Sequence, residues 1–528
     1  MPRFPVVPVV LITGVALRVA VAAQGWLYWD DLVLQAKVRD LGLADALLTP
    51  HDGHLMPAGW LVEWALARFA PLSAPAALAV LAALQAGTAL AVAWCCRVLT
   101  PRPAAPLALY LLSPLTLPAT TWLAAGLNSL PVHASLAMVT GHGVRYLRGG
   151  SRGHLAAASA WLCGGLLFSE RALVIGPAAV AMVTCWGLRE RLGRLAAVLA
   201  LPTAAWAAAY LALVDPAAEA GDRGGLAGLA TLVARGYVYA LLPAAAGGPW
   251  HWQRWVPGPP FAAESALGVL AGAAVVAVVL AWSRRHLVAW VPVLVYPLAP
   301  LLTLWWARSG EYTAGEIVMT LRYVSTAAVI AALTLAVLTS RCARPRLCRP
   351  IALVVAASCL ASSTSYARAW AEQPAREYFA NLRGPVLDQA VPLEVLLPVT
   401  SPYNRLSRLA PWVVADTVVE PSLVDAHGNR IPAALVTQRT SAEGCGAGEL
   451  PLDGPLVDYE WTVLLNYAAG SAGSAEVSLD GAPVSVPLEP GLHQAWVRVE
   501  GGGDRIRVNA DADTCFGRSE VGQLASAP

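Results

Sequence analysis

The chain has 528 residues, 57% of them hydrophobic and only 13% charged, against the roughly 25% charged of soluble domains. Its net charge of +2 provides no long-range field of the kind that marks a nucleic-acid binder. Composition therefore excludes a soluble globular protein and a nucleic-acid partner, and it points to an integral membrane protein.

The chain opens MPRFPVVPVVLITGVALRV, basic and then apolar, with no small-residue cleavage site before the aromatic cluster that follows. It reads as a retained first span rather than a signal peptide. Windows of about 20 apolar residues cross a bilayer as helices. Eleven are expected, at 4–24, 74–96, 104–123, 126–144, 154–169, 172–188, 195–214, 264–283, 287–307, 323–340 and 350–366. An odd number puts the two termini on opposite sides.

Arginines gather in alternate, short connections: Arg97 and Arg102; Arg145, Arg148 and Arg152; Arg189, Arg191 and Arg194; Arg284 and Arg285; Arg341, Arg344, Arg346 and Arg349. Positive charge of this kind marks the cytoplasmic side. The expected plasma-membrane topology thus has a cytoplasmic N-terminus and an extracytoplasmic C-terminal tail. The opposite connections, 25–73, 215–263 and 308–322, are acidic and edged by tryptophan. Most of these tryptophans fit an interfacial belt. The stretch PWHWQRW at 249–255 is denser than a belt requires, and Trp252 and Trp255 beside an arginine can stack on sugar rings.

Ionisable residues at or inside a bilayer are functional candidates by default, and four external places qualify. The first is WDD, with Asp30 and Asp31, together with Arg18 inside the first span. A helix start needs one capping carboxylate, not two, whereas Arg18 either joins the site or snorkels to an aspartate. The second is HDGHLMP, where the spacing of His51, Asp52 and His54 permits shared metal coordination but better suits a polar turn that bonds ligand hydroxyls. The third is Glu170 and Arg171, between two short spans, either a structural ion pair or a substrate contact. The fourth is Arg322 with Tyr323 before a late span, an interfacial anchor or a fork of donors for a lipid phosphate.

From about 367 onward, short alternating runs such as AEVSLDG, APVSVPLE, QAWVRVEG and DRIRVNAD are separated by Gly, Pro and Asp. They predict an extracytoplasmic β-sandwich over 367–528, after a membrane domain over 1–366. The only cysteines of the tail are Cys445 and Cys515, and an oxidising exterior predicts that they pair.

Taken together, WDD in the first external connection, HDGHLMP later in it and LRYV at the end of the last one resemble the C-type (GT-C) glycosyltransferases. These multispanning enzymes transfer sugar from a polyprenyl-phosphate donor on the outer face. The resemblance covers roughly 1–340, and the tail resembles the carbohydrate-binding β-sandwiches of actinobacterial arabinosyltransferases. It implies a polytopic α-helical membrane protein of about eleven transmembrane helices, GT-C-like, with a C-terminal extracytoplasmic β-sandwich. By analogy, Asp31 is the general base and Asp30 orients the acceptor or shares that role. Arg322 and Tyr323 hold the donor phosphate, with Arg18 and Arg171 next to it. His51, Asp52, His54, Glu170, Asn128, Trp252 and Trp255 are expected to contact substrate. Asn128 stands where some relatives carry an acid, so no metal cofactor is expected.

The resemblance makes arabinofuranose the first expected sugar and mannose or another hexose the second. The expected partners are a polyprenyl-phosphate sugar, membrane lipid and an envelope polysaccharide or lipoglycan acceptor. Two other classes stay open: a transporter or flippase of lipid-linked sugars, which would be expected to carry inverted repeats and midplane charges, and a non-catalytic scaffold that holds glycan.

Overall fold

A computed structural model describes residues 6–215, 221–308, 314–343, 348–511 and 513–527. Part of the connection 308–322, residues 309–313, and Arg344 and Arg346 of the last basic cluster lie outside the described residues. The chain divides into two compact units, Met1–Gln373 and Pro374–Pro528.

The first unit is helical. Among the described residues of the chain, seven helices are long and apolar enough to cross a membrane: Ala74–Leu99, Leu123–Gly149, Leu192–Leu213, Gly225–Ala245, Arg284–Arg308, Arg322–Arg341 and Pro350–Asn381, the last of them ending beyond the first unit. Val6–Ala22 and Ala266–Trp282 are apolar but shorter. Leu123–Gly149 and Arg322–Arg341 are largely buried, whereas Leu192–Leu213 and Gly225–Ala245 leave most of their apolar surface outside the protein. Apolar helix surface left uncovered by protein is suited to lipid. Small residues let the central helix approach its neighbours: a Cβ on Gly126 would lie 2.5 Å from Leu81, and one on Gly141 2.4 Å from Trp94.

The eleven expected spans are realised only in part. The window 104–123 is not one helix. Ala104–Leu112 ends at Ser113, and a short turn from Pro114 and a four-residue helix from Pro118 follow. Proline has no amide proton to continue a ladder and clashes with the preceding turn, so carbonyls at the end of Ala104–Leu112 are left to other donors. Arg18 supplies them, donating to Tyr110 O at 2.6 Å, to Leu111 O at 2.8 Å and to Thr116 Oγ1. The window 172–188 is likewise shorter, Ile175–Cys185 after a 3-10 turn at Glu170–Val174. Within 215–263, read as a connection, Gly225–Ala245 is long and apolar enough to cross. Its polar anchors nonetheless both reach the stretch 306–316: Arg223 donates to Trp306 O, and Arg235 pairs with Glu316.

The second unit is built on a ten-stranded sheet. Gly448–Ala469 and Gly491–Asn509 pair antiparallel from Gly491↔Ala469 to Val508↔Gly448. QAWVRVEG and DRIRVNAD, expected as separate strands, belong to one strand, because the glycines between them form an irregularity rather than a turn. The register shifts between Gly501 and Arg505, and Gly501 and Gly503 adopt φ of 116° and 103°, values a side chain resists. Residues from both arms, including Leu450, Val463, Val497 and Ile506, enter one core.

Cys445 and Cys515 are paired residues on adjacent strands and form the expected disulfide, with a sequence separation of 70. A loop of that length contributes about 2–4 kcal/mol by restricting the unfolded chain. Replacing both cysteines by alanine is expected to speed tryptic cleavage within 374–528 of the full-length protein and leave cleavage before 374 unchanged.

Candidate active site

Helix Asp30–Leu48 begins one residue after Trp29, a non-glycine with φ 41°. Trp29 makes no side-chain cap, and Asp31, in the first turn, reaches back past it and across to another helix. Its Oδ2 accepts from the Tyr28 amide at 3.0 Å, and its Oδ1 accepts from the Ala124 amide at 2.8 Å. Ala124 lies in the first turn of helix Leu123–Gly149, where amides have no partner inside the helix. Asp31, only 1% exposed, thus staples two helix starts together. Burial pushes its carboxyl up to about 7, against the pull of these two amides.

Asp30 is half-buried and faces a different environment. Burial raises it to about 6, with Asp52 raising it further and Arg322, Arg308 and His54 pulling it down. It is the member of the pair that lies among the charged groups of the HDGH turn and of the 308–322 connection.

Those groups are set by the HDGH turn. His51 and His54 exchange backbone hydrogen bonds of 3.0 and 2.8 Å, with Asp52 at φ 48° and Gly53 at φ 72° between them. Asp-Gly with two positive φ angles is the favoured two-residue hairpin. The turn is held by Tyr210, which donates to Gly53 O at 2.6 Å, and by Arg308, which donates to Asp52 O. His54 is engaged on both ring nitrogens, by Glu170 Oε1 at 2.8 Å and Arg308 at 3.3 Å. The histidines therefore do not converge on one ion. Asp30, His51 and Asp52 do bring one donor atom each within 4.8 Å of one another. His51 Nδ1, however, sits 2.9 Å from the Lys37 ammonium, which must be the donor. That fixes the proton on Nε2, and burial together with Lys37 keeps the ring neutral. An Nε2–H is a hydrogen-bond donor and not a metal ligand.

The opposite wall is the 321–323 stretch. Leu321 has φ 57°. Arg171 donates to Arg322 O at 3.1 Å and Tyr323 O at 3.0 Å, and to Ser129 Oγ at 3.3 Å. Arg171 thus spends its guanidinium on holding this backbone. The Arg322 guanidinium lies 4.7 Å over the Trp122 ring and 4.9 Å over Tyr323, and it donates to Tyr323 Oη at 2.8 Å. Among the described residues no carboxylate pairs with it. Trp29, Asp52 and Leu321 are three of the five non-glycine residues with positive φ among the described residues, and each is at or next to Asp30, His51 or Arg322. Such strain concentrates at functional sites.

The remaining expected residues fall on both sides of this chamber. Arg18 does not reach it, because its donors cap the helix end described above. Asn128, beside Ser129, has a buried Oδ1 with no partner among the described residues. Trp252 is 4% exposed and bonds Ser362 Oγ at 3.1 Å, a packing role. Trp255 is 65% exposed on a hairpin tip. His51 Nε2 and Glu170 Oε2 likewise have no partner among the described residues. Buried polar groups left unmatched by protein call for a polar partner from outside it.

Sequence reasoning missed Lys37, Arg308 and above all Glu63. Glu63 is fully buried on helix Pro57–Phe69, with neither oxygen partnered among the described residues. It is the only acid of that helix, on the same face as Trp60 and Ala67, and an acid on a buried face was the signal available. Burial, then the charges of Asp31 and Asp30, hold it well above the usual carboxyl range.

No family model matches the sequence, and no curated protein matches it. Among solved structures, the cryo-EM structure of arabinosyltransferase EmbB from Mycobacterium smegmatis is similar at a TM-score of 0.30 and 13% identity. The match covers 99% of this chain and 65% of that one. A likeness at that score carries no functional weight, and the chain spans under two thirds of that protein's length.

Glu63 provides a direct check on the electrostatics. A carboxyl raised in the folded state stays protonated while its unfolded counterpart ionises, so it costs stability increasingly as pH rises above the unfolded value. Glu63→Gln is expected to raise the thermal midpoint at about pH 8, with the gain shrinking toward about pH 5. A thermal-shift series over that range reads it.

Proposed function

We propose that this chain is an inverting glycosyltransferase of the outer membrane face, moving a sugar from a polyprenyl-phosphate donor to an envelope polysaccharide or lipoglycan. The observation that carries the reading is a half-buried carboxylate, Asp30, within electrostatic reach of Arg322, an arginine that no carboxylate bonds among the described residues. Transfer from a lipid phosphate needs two things of the protein: a base for the acceptor hydroxyl, and positive charge for the departing phosphate.

In the proposed step Asp30 takes the acceptor proton as the new bond to the anomeric carbon forms. The bond from that carbon to the phosphate oxygen breaks on the opposite face, giving inversion, and polyprenyl phosphate leaves. Arg322, beside the rings of Trp122 and Tyr323, holds its negative charge. His51 offers an Nε2–H to a hydroxyl or phosphate oxygen. Asp31 and Arg171 act as positioning residues: both spend their hydrogen bonds on backbone, one next to Asp30 and the other on Arg322 itself. The geometry thus favours Asp30 over Asp31 for the base assigned from the motif. The Lys37 contact on His51 favours a metal-independent reaction. On the resemblance of the motifs and the tail, arabinofuranose is the first sugar proposed and mannose or another hexose the second. The arginine pattern supports a cytoplasmic N-terminus and an external 374–528 unit.

The test is transfer of radiolabelled sugar from synthetic polyprenyl-phosphate arabinose or mannose by purified protein in detergent, with and without chelator. Asp30→Asn is expected to lose about 10²–10⁴-fold in rate with a thermal midpoint no lower than that of the wild type. Arg322→Ala should lose both donor affinity and rate, and chelator should have no effect. Full activity of Asp30→Asn, or no transfer from either donor by the wild type, would overturn the proposal.

A further inference from the structure

The hairpin Trp252–Arg254 and Pro260–Ala262 carries chemistry that the transfer step leaves unused. Its register pairs Gln253 with Phe261, and strand residues alternate between faces. Trp252 and Arg254 turn inward: Trp252 bonds Ser362, and the Arg254 guanidinium lies 5.2 Å over Tyr28 and 5.7 Å over Trp370. Gln253 and Phe261 turn the other way, toward a cavity of about 190 Å³ that Trp255, Arg235, Glu264 and Glu316 also line. The Trp255 ring is 5.6 Å from Phe261 and 65% exposed.

The polar half of this cavity is preorganised. Arg235 donates through Nε and one terminal nitrogen to Glu264 Oε1 at 2.8 and 2.6 Å, and through the other to Glu316 Oε1 at 2.7 Å. Each carboxylate is thereby fixed through one oxygen, while Oε2 of each takes no hydrogen bond among the described residues. One guanidinium against two carboxylates leaves an excess negative charge, so the cavity disfavours phosphates and uronic acids. What it offers is an apolar aromatic face beside carboxylate and amide acceptors, the complement of a sugar ring with its C–H face and its hydroxyls. The volume lies below the ~300 Å³ of pockets for drug-sized ligands and suits a single ring.

We propose that this cavity is a saccharide subsite that binds one neutral sugar unit of the acceptor glycan, stacked on Trp255 and hydrogen-bonded to Glu264, Glu316 and Gln253. Two walls join it to the transfer chamber. Met319 lines the cavity three residues before Arg322, and Arg254 on the hairpin lies over Tyr28, whose amide donates to Asp31. A chain seated on Trp255 would thus be held by the same elements that carry the base and the phosphate arginine. Only the word acceptor rests on the glycosyl-transfer reading; the saccharide site itself does not.

The experiment is equilibrium binding of neutral arabino- and manno-oligosaccharides, and of an oligogalacturonate, to the full-length protein in detergent. Calorimetry on wild type, Trp255→Ala, Trp255→Phe and Glu264→Gln reads it, beside the transfer assay. Expected is saturable binding of a neutral oligosaccharide, weakened about tenfold by Trp255→Ala and by Glu264→Gln, largely kept by Trp255→Phe, with the oligogalacturonate bound far more weakly. No saturable binding, or binding indifferent to both Trp255→Ala and Glu264→Gln, overturns the subsite even where transfer is robust. Trp255-dependent binding in a protein that transfers no sugar upholds the subsite and overturns the transfer reading instead.

Discussion

A buried carboxylate with both oxygens occupied by backbone amides is the constraint from which the site follows. Asp31 cannot leave its place without stranding the amides of Tyr28 and Ala124, one at the start of the first connection and the other at the start of the central helix. Because neighbouring residues on a helix point apart, fixing Asp31 inward commits Asp30 to the chamber. The other wall repeats the device with the opposite charge. Arg171 is spent on the carbonyls of Arg322 and Tyr323, and the side chain thus presented is Arg322. In each case one ionisable side chain is spent on backbone beside another that no opposite charge bonds among the described residues.

Magnitudes explain why the arrangement can persist. Each non-glycine residue held at positive φ, such as Trp29 and Leu321, costs about 1–3 kcal/mol. Hydrogen bonds to charged groups contribute about 1.5–3 kcal/mol each, and both strained residues adjoin a residue held by a charge-assisted bond of this kind. The strain is therefore offset locally. The surrounding helices, packed through Gly126 and Gly141 against Leu81 and Trp94, supply the rigid frame that this balance needs.

Much of this organisation was legible along the chain because it is local. The apolar windows at 74–96, 126–144 and 323–340, the Asp-Gly turn between His51 and His54, and the lone cysteine pair of the tail all carry their signals within a few residues. The break in 104–123 was equally local, marked by Pro114 and Pro118, but an apolar window counts hydropathy and ignores the missing amides. What could not be read was tertiary. Nothing near Arg18 announces that it caps Tyr110 and Leu111, and nothing near Asp31 announces Ala124. The division of roles between Asp30 and Asp31 depends on which of them meets that distant amide, so two adjacent identical residues could not be told apart by type. The glycines at 501–503 read as a turn for a related reason: a bulge and a turn share their composition and differ only in what lies across the strand.

The most direct measurement is the pH dependence of transfer in the wild type and in Asp31→Asn. With Asp30 as the base, the wild-type rate rises with pH as its carboxyl ionises, through a midpoint near the value of about 6 set by its surroundings. Asp31→Asn, although less stable, should keep that rising limb, and Asp30→Asn should lose it. A limb abolished in Asp31→Asn and retained in Asp30→Asn would contradict the account and return the base to Asp31.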